Sequence, residues 1–291
     1  MRRSLLLAAV VGSLLASPAL ADVTVRYRAV IPEGGPAHMR ENPPALTISA
    51  DGTGQARWDM AAPVPAGEGG ASPPSIALIT REGVGYFSLN APGGQMQIVG
   101  RVDDAFAIGA QFATPVLQGP ARETVRQVMS QRVEIIPVGP EIVSGIQGNL
   151  YRIVIVTGET RTPPIEMVVA TDPRLAPIGR EFVRMVESVR PTVVEVARGE
   201  PQVYTALRAM LSLGAPLRIG NEMRIDSVST EDVPDSRFTL PGPVLTRAQL
   251  QGIAAMMTGM MQQQQGARPP GGPPATPAPP ATPPADARNP G

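Results

Sequence analysis

Residues 23–29 alternate strictly. Val23, Val25, Tyr27 and Ala29 fall on one side of an extended chain, and Thr24, Arg26 and Arg28 on the other. That is the period-two pattern of a half-buried strand. Leu46, Ile48 and Ala50 repeat it. After Asp51-Gly52, so do Ala56, Trp58 and Met60, with Arg57 and Asp59 between them. An Asp-Gly pair between alternating runs is a hairpin signal. Ile76–Thr80 and Val84–Leu89 flank Glu82-Gly83, and Pro92-Gly93-Gly94 leads into Gln95–Val99. The pattern predicts an antiparallel meander of about six strands, apolar on one face and wet on the other. Residues 61–75, filled with Pro and Gly, read as an exposed loop.

The second half mixes strands and helices. A first helix is predicted at Arg122–Arg132, where Val125, Val128 and Met129 keep helical spacing. Strands follow at Val133–Pro137, Leu150–Val156, with Tyr151, Ile153 and Ile155 inward, and Ile165–Thr171. In Pro177–Val189 the apolar residues Ile178, Phe182, Met185, Val186 and Val189 form one helical stripe, with Arg180, Arg184 and Glu187 opposite and Pro191 as the stop. Pro201–Leu213 repeats the pattern. Leu217–Ile219 and Met223–Ser229 read as a last strand pair around Gly220-Asn221. Thr246 and Gln249 form a T-x-x-Q capping box ahead of a helix striped with Leu250, Ile253, Met257, Met260 and Met261. From Arg268 to Gly291 ten of 24 residues are Pro, which predicts a disordered or transiently polyproline tail.

The first 21 residues carry an address. Arg2 and Arg3 precede an apolar core, Leu5–Leu15, and Ala19-Leu20-Ala21 is an A-x-A cleavage site. This predicts a signal peptide, a mature chain starting at Asp22, and a periplasmic location. Gly12, Ser13, Ser17 and Pro18 break the stretch short of the ~20 apolar residues of a membrane span. The chain has no Cys, so it has no lipidation site, disulfide or thiolate ligand. A soluble protein held by its core is the expectation. All 25 basic residues are Arg, which fits a GC-rich coding bias, since they are scattered. Without Arg2 and Arg3 the basic residues fall two short of the 25 acids. That argues against nucleic acid and against an anionic membrane surface as partner.

Chemistry-bearing constellations are sparse. His38, the only histidine, sits in a Pro/Gly-rich loop. No G-x-S-x-G elbow exists to supply a nucleophile beside it, and one His without Cys makes a poor zinc site. Met256-Met257 and Met260-Met261 share a helical side and could suit Cu(I), but they also suit an adaptable apolar face. Asp103-Asp104 and Glu231-Asp232 are adjacent pairs, which in a strand point to opposite faces and make no acid–base couple. No nucleotide-binding glycine motif is present.

Three segments carry a family resemblance: Gly145-Ile146-Gln147-Gly148-Asn149-Leu150-Tyr151, continuing to Glu166-Met167 and Thr171-Asp172-Pro173; Leu213-Gly214-Ala215-Pro216-Leu217; and Val233-Pro234-Asp235-Ser236-Arg237-Phe238-Thr239-Leu240-Pro241. Over residues 23–243 the chain resembles a family of exported bacterial proteins known as a domain of unknown function. That family is similar in layout to the LolA-type carriers of outer-membrane lipoproteins. The resemblance implies a curved, unclosed antiparallel half-barrel with helices on its concave side over an apolar cavity, and Phe238 anchoring the last strand. It brings no catalytic residues.

The expectation is therefore an α+β fold: a large curved antiparallel sheet, an unclosed half-barrel, with two or three helices on its concave face. The organisation is a signal peptide (1–21), the sheet domain (22–245), a Met-rich helix (246–265) and a Pro-rich tail (266–291). Val25, Tyr27, Trp58, Met60, Ile153, Phe182, Met185 and Met210 are expected to line an apolar cavity between sheet and helices, or else to be ordinary core. No cofactor, metal or enzymatic activity is expected. Two functions compete: a periplasmic carrier or sensor of a lipid-like or lipoprotein-acyl ligand, and a cell-envelope scaffold acting through the Met-rich helix and the tail.

Overall fold

The computed structural model describes residues 22–61, 75–90, 97–116, 123, 131–197 and 199–266. The expected leader, the body of the Pro/Gly-rich loop and the Pro-rich tail lie outside the described residues. So does most of the helix expected at Arg122–Arg132, and its last residue, Arg132, opens a strand instead.

The meander runs β1 (Val23–Ala29), β2 (Ala45–Ala50), β3 (Ala56–Ala61), β4 (Ser75–Arg81), β5 (Val84–Asn90) and β6 (Gln97–Arg101). The later strands are β7 (Arg132–Val143), β8 (Ile146–Thr157), β9 (Thr160–Arg161), β10 (Ile165–Ala170), β11 (Pro216–Ile219) and β12 (Met223–Ser229). Among the described residues there are five α-helices: α1 (Ala37–Glu41), α2 (Val102–Val116), α3 (Ala176–Ala197), α4 (Gln202–Leu211) and α5 (Arg247–Gly266). The strands form one 12-stranded sheet in the order β6-β5-β4-β3-β2-β1-β12-β11-β10-β8-β7, with β9 on β8. Pairing is antiparallel throughout, and the sheet does not close into a barrel. This is the expected α+β fold with one large, unclosed antiparallel sheet: the alternation predicts its meander, and the resemblance implies that it stays open.

One pairing joins the two halves. β1 takes β2 on one side and β12 on the other, so the first and last strands of the domain lie side by side. The hairpins behave as their turn residues require. Glu82 and Gly83 both have positive φ, at 53° and 78°, the type I′ turn that suits a two-residue connection. At Asp51-Gly52 the loop is longer than the dipeptide suggests. It spans Asp51–Gln55, with the positive φ at Gly54. The buried Asp51 carboxylate holds it, accepting from the Thr53 and Gln55 amides at 3.0 and 2.7 Å.

Several expected boundaries move, each for a physical reason. β7 continues through Pro137 and Pro140, because it pairs with β8 alone and an edge strand can spare those amides. Pro191 does not stop α3, which runs on to Ala197. A proline inside a helix costs about 3 kcal/mol. Val193 and Val194 continue the apolar stripe past it and are half-buried. α2 was not anticipated. Asp103 and Asp104, read as strand neighbours, stand in its first turn, where the helix dipole favours carboxylates.

The main core unites Val25, Tyr27, Ile48, Trp58, Ile178, Phe182, Leu217 and Ile225. Phe182 of α3 meets Tyr27 and Trp58 edge-on, with ring centroids 5.7 and 4.8 Å apart. A second cluster joins Met167, Val169 and Met210, with Ile135, Tyr151, Ile153 and Ile219 packed on it. Along β10, Val168 and Ala170 belong to the first cluster and Met167 and Val169 to the second. Successive strand residues point to opposite faces, so at β10 itself the two clusters flank the strand.

The face of β3 opposite α3 is not left to water. A 3-10 turn, Asp235–Phe238, packs there against β3 and β4. Arg237 donates to Asp59 at 2.6 Å and its carbonyl accepts from Arg57 at 3.3 Å. Phe238, the last residue of this turn, is 1 % exposed.

The chain divides into two compact units, Met1–Leu250 and Gln251–Gly291. The first turn of α5 belongs to the first, capped as its sequence predicts: Gln249 Oε1 accepts from the Thr246 amide at 2.8 Å, and Thr246 Oγ1 from the Gln249 amide at 3.4 Å. The described part of the second is helical.

Candidate functional site: an apolar strip beside a polar cleft

Register places the site. Residues paired directly across neighbouring strands share a face. Tyr27 pairs with Leu46, Leu46 with Met60, Met60 with Ile76, Ile76 with Leu89, and Leu89 with Ile98. This apolar row crosses six strands. A parallel row, two residues along, runs Val25, Ile48, Trp58, Leu78, Phe87 and Gly100. Both rows lie on the face that carries α3, because Trp58 and Phe182 touch there. α3 covers β1 and β2, and α2 covers β5 and β6. Over the middle of the first row the side chains are open: Met60 is 37 %, Ile76 41 % and Leu89 37 % exposed.

Beyond Trp58 the same face deepens into a cleft of 280 Å³ between α2, α3 and the strands. Its lining includes the apolar Trp58, Leu78, Val102 and Met185, and the polar groups in its walls are led by Thr80, Arg101, Asp103, Glu181, Arg184 and Ser188. Glu181 is the buried charge here, 4 % exposed. Its carboxylate accepts from Thr80 Oγ1 at 3.0 Å and from Arg184 at 2.5 Å. Burial pushes its pKa above the usual carboxylate range, opposed by the Arg184 charge and the two hydrogen bonds. A raised carboxyl beside a cleft is a frequent mark of a binding site.

The structure divides the eight residues expected to line one cavity. Val25, Tyr27, Trp58 and Phe182 are buried together, and Met185 packs at their edge. Met60 lies on the same face in the open strip. Ile153 and Met210 belong to the second cluster. Arg184 and Glu187, expected on the wet side of α3, are half-buried: Arg184 holds Glu181, and Glu187 accepts from Tyr204 of α4 at 3.1 Å and pairs with Arg208. Arg180 is exposed as expected, as is His38.

Sequence reasoning missed Glu181 as a site residue, yet the signal was present. Ile178, Glu181, Phe182 and Met185 stand at i, i+3, i+4 and i+7, so helical phase alone turns Glu181 toward the sheet. Among the described residues no cluster of three His, Asp or Glu side chains could hold a metal ion, and no helix is long and apolar enough to cross a membrane.

No family model matches the chain, and neither a curated protein nor a solved structure matches it.

Proposed function

We propose that this protein is a non-enzymatic carrier or sensor of a lipid-like, acyl-bearing ligand, working in the periplasm. The observation that carries the reading is the strip Met60–Ile76–Leu89, three large apolar side chains left open in a row beside a cleft with polar groups in its walls. An amphiphile has that division of character. Its tail would remove the strip from water at about 25 cal/mol per Å² of apolar surface.

Trp58, the only tryptophan, lines the cleft and lies two residues from Met60 on the same face. It therefore reports on the strip directly. Titration with a bromine-labelled fatty acid should quench its fluorescence saturably, at one ligand per chain. Met60→Asp and Ile76→Asp change exposed positions and should abolish the quenching while leaving the fold intact. Wild-type emission unmoved by the labelled fatty acid would reject the reading.

A specific feature favours a second reading, the envelope scaffold. On α5, Met256, Met257 and Met260 are 57, 42 and 50 % exposed, and adaptable thioether side chains suit a partner surface.

A further inference from the structure

The open row is stopped at both ends. Tyr27 closes one end at 1 % exposure and Ile98 the other at 6 %. From Leu46 to Leu89 the row makes three inter-strand steps, about 14 Å at ~4.8 Å per step. A chain lying across the strands would therefore meet a limit of length.

The Tyr27 end has a second property. Among the described residues, its hydroxyl is the one buried side-chain polar atom without a hydrogen-bond partner. Native interiors rarely leave such a group unpaired, because it loses water and gains nothing in return. Burial also pushes its pKa far up, so it remains a donor at any ordinary pH. A donor at the end of an apolar row matches a ligand whose apolar chain ends in an acceptor oxygen.

Building on the acyl-carrier reading, we propose that the stretch between Tyr27 and Ile98, from Leu46 to Leu89, takes a single straight acyl chain of about 12 carbons across the strands, its carbonyl or carboxylate oxygen accepting from Tyr27. Leu46, half-buried between Tyr27 and Met60, is the side chain that shifts to admit the polar end. The strip then measures chain length, and Tyr27 selects chains that end in an acceptor.

The test is a series of bromine-labelled straight-chain carboxylic acids, from ~8 to ~18 carbons, read by Trp58 quenching. Affinity should rise about fourfold per methylene until the row is filled, then level off. Ile98→Ala opens the far end and should move the plateau to longer chains, with thermal unfolding confirming that the variant is folded. Tyr27→Phe should weaken binding of the acids roughly five- to tenfold and leave binding of a bromoalkane, which has no acceptor, unchanged. It should also melt no lower than the wild type, since it removes an unpaired buried hydroxyl. Affinity that climbs unabated through the longest chain overturns the length limit. Equal binding of the acids by Tyr27→Phe overturns the anchor and leaves the hydroxyl a core group satisfied by a buried water. Both outcomes leave the carrier reading standing. Only an absence of quenching by every acid in the wild type would take that reading down as well.

Discussion

Thr80 of β4 donates its hydroxyl proton to the Glu181 carboxylate of α3 at 3.0 Å, joining the sheet to the helix that covers it. Glu181 is buried, and burial is the strongest influence on it, raising its pKa above the ordinary value. The folded state therefore holds this proton more tightly than the unfolded chain does. The stabilisation from Glu181 is complete below its unfolded pKa, about 4.3, and is lost as pH rises through the raised folded value. Urea midpoints measured across that window should show this decline in the wild type, and Glu181→Gln should flatten it. A variant with the same slope as the wild type would remove Glu181 from the explanation.

Trp58 is the central aromatic of the main core, edge-on to Phe182 and buried. Trp58→Ala should cost about 3–5 kcal/mol, seen as a lower urea midpoint with little change in slope. Wild-type emission should be blue-shifted and should move red on unfolding. A maximum at the position of free tryptophan would contradict the burial.

Two helix glycines should respond with opposite signs to the same change. In α3, a Cβ on Gly179 would stand 2.8 Å from the Gly214 carbonyl carbon and 3.0 Å from the Ala215 nitrogen. Gly179→Ala should therefore destabilise by about 1–3 kcal/mol, despite the better helix propensity of alanine. In α2, a Cβ on Gly109 would meet nothing within 4 Å. Gly109→Ala should stabilise by about 1 kcal/mol. Thermal unfolding of the pair decides it, and a Gly179→Ala variant as stable as the wild type would refute the close crossing of α3 over Gly214.

Gly214 also shows why short motifs in this chain read as familiar yet say little about chemistry. A Cβ there would lie 2.5 Å from the Ala170 carbonyl oxygen, and one on Gly148 would lie 2.6 Å from that of Val169. Both glycines let backbones approach closely. Asp172, of the Thr-Asp-Pro segment, caps a 3-10 turn by accepting from the Arg174 amide at 2.9 Å. These residues serve the architecture.

Local pattern determined the strands of the meander, the Glu82-Gly83 turn, the apolar stripe of α3 and the cap of α5, because each depends on residues a few positions apart. Alternation also settled which side chains share a face within one strand, so Trp58 and Met60 were placed together correctly. What alternation cannot supply is the pairing of distant strands. The union of β1 with β12 brings residues about 200 positions apart into register, and it alone makes one sheet of two strand groups. The same is true of the site. Ile153 and Met210 are as apolar as Val25 and Tyr27, and only the tertiary packing gathers them into a separate cluster. Glu181 is charged, and only its position between Thr80 and Arg184 makes its burial tolerable. Composition and period are local properties of the chain, whereas the cleft and the open row arise from which helix covers which strands, and that is decided by packing across the whole domain.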